Sequence, residues 1–285
     1  MAANFFSLNN NKDLHSQDSF IEEGNDFGWV SINYFPDFFG SSEKKPLVIR
    51  KKEFHTISFK DTSIENVNFI NCYFYDCLFI GSTLKNCEFI DCQFHGTNTH
   101  KIKIESCLID PRQFSNNFEL KYDANIAVDL FQELYKNSKI EEQPKYAIES
   151  LYQMKVALGY NLNYKYKSKK IGILRFFIEK SIDVINKYTT GYGLKISRIF
   201  ATLLITIFIM AMINLIFRSG FTTQNEMKSI IDAIYFTCIT VTTLGYGDIT
   251  PITGGAKIIV IFEALVGFVF MSLFVSAFVN RILRV

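Results

Sequence analysis

The residues best suited to chemistry lie together: Thr240-Val241-Thr242-Thr243-Leu244-Gly245-Tyr246-Gly247-Asp248. Glycine adopts left-handed backbone conformations cheaply, so Gly245 and Gly247, placed either side of Tyr246, let successive peptide carbonyls face one direction. A row of such oxygens can replace the water shell of a cation in a dry passage. No other chemistry finds a framework. His15, His55, His95 and His100 have no cysteine or carboxylate cluster around them, and the glycine pattern is not a nucleotide loop. An enzyme, a cofactor and a resident metal are therefore not expected.

A carbonyl row needs elements to hold it. Ser229 can cap a short helix running from Ile230 to Thr240, directly before the row. On either side lie two apolar runs. Ile199–Phe217 carries no charge and is interrupted by Thr202, Thr206 and Asn214, and Ile258–Val279 carries one charge, Glu263. Each is long enough to cross a hydrocarbon core of ~30 Å. The runs account for a positive mean hydropathy of +0.12 and an apolar content of 48% in a chain of 285 residues. A formal charge of only +2 offers no global field for nucleic acid.

The nonapeptide matches Thr-x-x-Thr-x-Gly-Tyr-Gly-Asp at every fixed position, between a short helix and a second apolar run. It resembles the selectivity filter of two-transmembrane potassium channels, and the resemblance covers Lys195 to Val285. It implies a homotetramer around a pore with K+ as the permeant ion. The carbonyls of Thr243, Leu244, Gly245 and Tyr246, in a strand completed by Gly247, face that ion, and the Thr243 hydroxyl completes the inner ring. The Tyr246 ring points away and braces the strand against the helix behind it. Thr240, Asp248, Tyr235 and Glu263 are the supporting residues, with Asp248 at the outer mouth within reach of Tyr235. Glu263 is open to two readings, a bond to the pore helix such as one to Thr237, or an interfacial carboxylate. Gly267 is either a hinge or a packing glycine, and Phe268, Met271 and Val275 are the cavity-lining candidates below it. A second match, Thr189-Thr190-Gly191-Tyr192-Gly193, has Leu194 in place of the aspartate and no span before it. It reads as a glycine turn entering the first span.

Upstream the sequence repeats every five residues. Stepping from Phe54 gives Phe59, Ile64, Phe69, Phe74, Phe79, Leu84, Phe89 and Phe94, and after Thr99 the run resumes at Ile104 and Ile109. Two residues before each centre stands a small or β-branched residue, among them Cys72, Cys77, Cys87, Cys92 and Cys107. Three before stands mostly Asp, Asn or Gly, which tolerate the left-handed conformation of tight corners. A period of five fits neither helix nor alternating strand. It fits a coil with four short sides, and it resembles the pentapeptide-repeat family, a right-handed four-sided β-helix, over Lys51 to Asp110. The cysteines then read as small core residues, not as metal ligands or disulfides, and free thiols favour a reducing compartment.

From Pro111 the pattern turns helical. Ala127, Leu130, Phe131 and Leu134 outline one helix face, and Ala147, Ile148, Leu151 and Met154 a second. A basic stretch from Gly159 to Arg198 contains the amphipathic segment Ile171–Tyr188, which suits a helix lying on anionic headgroups, with an ordinary solvated helix as the alternative. The lysines and arginines here and at Arg281 and Arg284 place both termini on the cytoplasmic side of the plasma or inner membrane.

The expected architecture is a multidomain membrane protein. Residues 1–50 form a polar and aromatic lead-in, 51–110 a right-handed quadrilateral β-helix, 111–195 a helical basic connector and 196–285 an all-α two-transmembrane tetrameric pore domain with a re-entrant pore helix. The function read from it is potassium-selective conduction, with regulation or assembly through the repeat domain and its unidentified cytoplasmic partner. The competing readings are a non-selective monovalent cation channel and a membrane-anchored pentapeptide-repeat interaction protein.

Overall fold

The structure, a computed structural model, describes residues 11–223 and 227–282. The chain divides into two compact units, residues 1–181 and 182–285.

The first unit is built on a parallel β-solenoid. Strands one coil apart pair in register at intervals of twenty residues, as in Phe54↔Phe74, Ile64↔Leu84 and Phe69↔Phe89. Three sides of the coil are sheets, and the fourth is held by the bridges Ser58↔Leu78 and Leu78↔Asn98. The centre residues stack inward: Phe54 on Phe74 at 4.6 Å, Phe74 on Phe94 at 4.7 Å and Phe94 on Phe114 at 4.1 Å between ring centroids. This is the strand spacing of ~4.8 Å imposed on a column of rings. Asp61, Asn66, Asn71, Asp76, Gly81, Asn86, Asp91 and Gly96, the corner residues of the repeat, all have positive φ.

The small-residue row has a second task. Cys77 Sγ donates to the Phe54 carbonyl at 3.2 Å, Cys87 Sγ to Ile64 and Cys92 Sγ to Phe69 at 3.3 Å each, and Ser82 Oγ does the same to Phe59 at 2.6 Å. At these positions the row supplies a donor as well as a small volume. All six cysteines are free, and among the described residues no cluster of histidine, cysteine and carboxylate could hold a metal.

The solenoid is longer than the sequence expectation of 51–110. Strands at Lys12–Leu14, Gly28–Tyr34, Phe38–Gly40 and Leu47–Arg50 join the same sheets, so residues 12–50 are part of the coil and not a lead-in. The step of five continues backwards through Ile49, Phe39, Tyr34 and Trp29, all buried. It fails at Lys44, in a loop that lengthens the first coil, so that Trp29 pairs with Phe54 at a spacing of twenty-five. Helix α1 (Gln17–Glu23) closes this end with Phe20, stacked on Trp29 at 5.0 Å.

The other end is closed by side-chain amides. The Thr97 N–H donates to Asn117 Oδ1 at 2.8 Å and Asn117 Nδ2 donates to the Thr97 carbonyl at 2.9 Å. Asn137, in helix α2 (Leu120–Ile140), makes the same pair with Cys107 at 3.0 and 2.8 Å. Each carboxamide supplies the donor and acceptor that a further coil would have offered, which removes an open sheet edge. Ala127, Leu130, Phe131 and Leu134 of α2 are buried as expected. Helix α3 (Pro144–Lys167) differs from the sequence reading. Its buried line runs through Ala147, Ser150 and Ala157, and Ile148 and Leu151 are only half-buried. Small residues let α3 approach α2 closely, which the apolar periodicity alone does not show.

Helix α4 (Ile173–Thr189) has no buried residue and leaves Leu174, Phe177, Ile178, Ile182 and Ile185 exposed. In the second unit, helices α5 (Ile196–Ile216), α6 (Ile230–Val241) and α7 (Gly254–Ile282) surround a small core of Ala211, Phe221, Ala233, Phe236, Ile249 and Ala256. At 1.5 Å per residue, the 21 residues of α5 extend ~31 Å, and α7 is longer. Both pass as membrane spans by length and composition. A two-stranded ribbon, Phe221–Thr223 with Ile249–Pro251, ties the segments before and after α6 together.

Candidate functional site

Helix α6 begins where the sequence expects. Ser229 Oγ accepts from the Asp232 N–H at 3.2 Å, and Asp232 Oδ2 accepts from the Ser229 and Lys228 N–H groups at 2.9 and 3.0 Å, a full capping box. Its far end turns directly into the Thr243–Gly247 strand. The N–H groups of Leu244 and Gly245 both donate to the Ile239 carbonyl, at 2.9 and 3.2 Å, so the strand starts anchored on the last turn of the helix.

Backbone handedness alternates along the strand. Thr243, Gly245 and Gly247 have φ of 61°, 50° and 77°, and Leu244 and Tyr246 between them do not share the positive sign. Alternation is the device that turns successive carbonyls to one side. Glycine carries it at two positions, while Thr243 adopts it with a β-branched side chain, at a cost the surroundings must offset. Residues 242–247 are exposed. No carbonyl from Thr243 to Tyr246 accepts a backbone hydrogen bond among the described residues. Four consecutive peptide oxygens are thus left uncommitted. The Thr240 and Thr242 hydroxyls are already used, donating to Phe236 and Cys238 carbonyls at 2.8 and 2.6 Å.

The second Gly-Tyr-Gly sequence behaves otherwise. Gly191, Tyr192 and Gly193 all have positive φ, so no alternation arises, and Tyr192 Oη donates to Asp183 Oδ1 at 2.8 Å. It is a turn between α4 and α5.

Tyr235 is 40% exposed and Asp248 half-buried, near the outer end of the strand. The Tyr246 ring is 68% exposed, so within one protomer it is not packed on the helix behind it. Glu263 is buried at 1% exposure with Asn214 and Thr237 at 0%. Asn214 Nδ2 donates to Thr237 Oγ1 and to Glu263 Oε2, both at 3.0 Å. The carboxylate is therefore held behind the pore helix and is not interfacial. Asn214 was missed as a site residue, although a lone amide in an uncharged apolar run is a visible signal. Gly267 abuts the backbone of Val241. Phe268, Met271 and Val275 of α7 are exposed in the protomer.

With this geometry established, comparison with known proteins adds the following. Residues 199–284 match the family model described as ion channel. Residues of this chain are 41% identical over 58 positions to two-pore potassium channel 5 of Arabidopsis thaliana, covering 20% of this chain and 14% of that protein. They are 46% identical over 66 positions to a hyperpolarization-activated voltage-gated potassium channel of Methanocaldococcus jannaschii, covering 23% and 31%. A match to two pore potassium channel c of Oryza sativa subsp. japonica is 44% over 54 positions, covering 19% and 12%. The chain thus spans less than a third of each of these relatives. The resemblance read from Thr240–Asp248 thus extends across the two-helix segment, residues 199–284 being similar to ion-channel sequences.

Proposed function

We propose that this chain is one subunit of a homotetrameric potassium-selective channel of the cell membrane. The observation that carries this reading is the exposed Thr243–Gly247 strand, whose alternating backbone leaves four carbonyls free. One strand offers oxygens from one side only. Four copies around an axis supply closed rings that exchange for the hydration of a dehydrated K+. The negative end of the α6 dipole, at Val241, points where a cation in the cavity below would be stabilised. The exposed Tyr246 ring then finds its packing surface on a neighbouring copy.

Both termini lie on the cytoplasmic side in this reading, with the apolar face of α4 in the interface and its lysines at anionic headgroups. The solenoid serves regulation or assembly, with no cofactor besides the permeant ion. The deciding measurement is the reversal potential of the purified protein in liposomes under opposed K+ and Na+ gradients. A potential near the K+ equilibrium value is expected. Equal permeabilities point to a non-selective pore, and absence of any flux points to a membrane-anchored interaction protein.

A further inference from the structure

A membrane span seldom carries an asparagine, because an amide facing hydrocarbon without partners costs several kcal/mol. Asn214 lies in the last turn of α5, fully buried, and its Nδ2 makes two hydrogen bonds. One goes to Thr237 on α6 and the other to Glu263 on α7, each at 3.0 Å. Three polar groups, one from each helix of the pore module, are thereby joined through the Asn214 amide into one cluster.

The position of this cluster on α6 gives it consequence. Thr237 lies two residues before Ile239, whose carbonyl anchors the N–H groups of Leu244 and Gly245, and one turn before Val241, which meets Gly267. The last turn of the pore helix is thus gripped from behind by both spans while it holds the start of the carbonyl strand in front. We infer that Asn214, Thr237 and Glu263 form a three-helix clasp that fixes the pore helix, and that Asn214 is the positioning residue through which the first span bears on the carbonyl strand. The inference rests on the conduction reading above. It makes the outer part of α5, which touches no ion, a determinant of selectivity and open time.

The test uses the full-length tetramer in liposomes and planar bilayers with K+ and Na+ as the only permeant ions. Asn214→Leu and the near-isosteric Thr237→Val are expected to lower the K+/Na+ permeability ratio or shorten open dwell times about tenfold, the scale of one buried hydrogen bond left unmade. The double variant should be little worse than either single one, because both break the same Asn214–Thr237 bond. Glu263→Gln, which keeps an acceptor, should lose less than Glu263→Leu. If Asn214→Leu does not assemble, Thr237→Val carries the same comparison. Wild-type selectivity and dwell times in an assembled Thr237→Val tetramer, or additive effects in the double variant, overturn the clasp. If the wild-type protein passes no K+, the conduction reading fails instead. The clasp is then judged by a double-mutant cycle on the melting temperature of the Asn214 and Thr237 variants, where additive shifts overturn it.

Discussion

Gly267 on α7 meets Val241 at the end of α6 with no space between them: a Cβ on Gly267 would stand 2.8 Å from the Val241 Cα and 2.9 Å from its carbonyl oxygen. The neighbouring atoms are backbone and cannot rotate away. Together with the Asn214 amide that bridges Thr237 and Glu263 one turn earlier, this contact joins the inner span to the helix that carries the carbonyl strand.

Gly267→Ala should therefore overpack the contact, at a cost of about 1–3 kcal/mol per chain. The expected result is a lower melting temperature of the assembled protein together with altered open probability in bilayers. A glycine serving only as a hinge would give a gating change with undiminished thermal stability, so an unchanged melting temperature refutes the packing role.

Gly245 tells a different story, because nothing lies within 4 Å of a Cβ placed there and only its φ of +50° restricts it. Alanine in that conformation costs roughly 1–2 kcal/mol. Spread over the copies that share a pore, this strain should distort the carbonyl rings and reduce the K+/Na+ permeability ratio. A reversal potential identical to wild type would show that backbone handedness at 245 is not limiting.

At the solenoid end, Asn137→Ala removes the acceptor for the Cys107 N–H and leaves that buried donor unpaired. The expected loss is about 1–3 kcal/mol, seen as earlier unfolding of the repeat unit in denaturant titrations. Amide exchange at Cys107 should accelerate in the same variant, and unchanged protection there would argue against the amide as an end cap.

Burial pushes the Cys77 thiol up from its ordinary 9.0 to about 12. Since only the neutral thiol is accommodated in the coil, its contribution to stability is complete below about 9 and is lost as pH rises towards about 12. Native protein at neutral pH should leave Cys77 unmodified by iodoacetamide, with full labelling after denaturation, read by mass spectrometry. Cys77→Ser, which preserves the donor to Phe54, should fold normally and flatten the alkaline loss of stability.

Local order in the sequence determined much of this protein. The five-residue period encodes the coil, because each side contributes one large and one small residue and each corner needs a left-handed turn. The alternation that frees four carbonyls is announced by Gly245 and Gly247, and the span lengths by the apolar runs. Tertiary structure decided what depends on residues distant in the chain. Residues 12–50 entered the solenoid because Trp29, Tyr34, Phe39 and Ile49 found ring and strand partners one coil away, even though Lys44 interrupts their period. Ala147, Ser150 and Ala157 became the packing line of α3 through close approach, which favours small side chains over apolar ones. The choice between readings of Glu263 and Gly267 needed the third dimension for the same reason. A carboxylate in hydrocarbon is defined by its partners, and Asn214 and Thr237 lie 49 and 26 positions before it in the sequence.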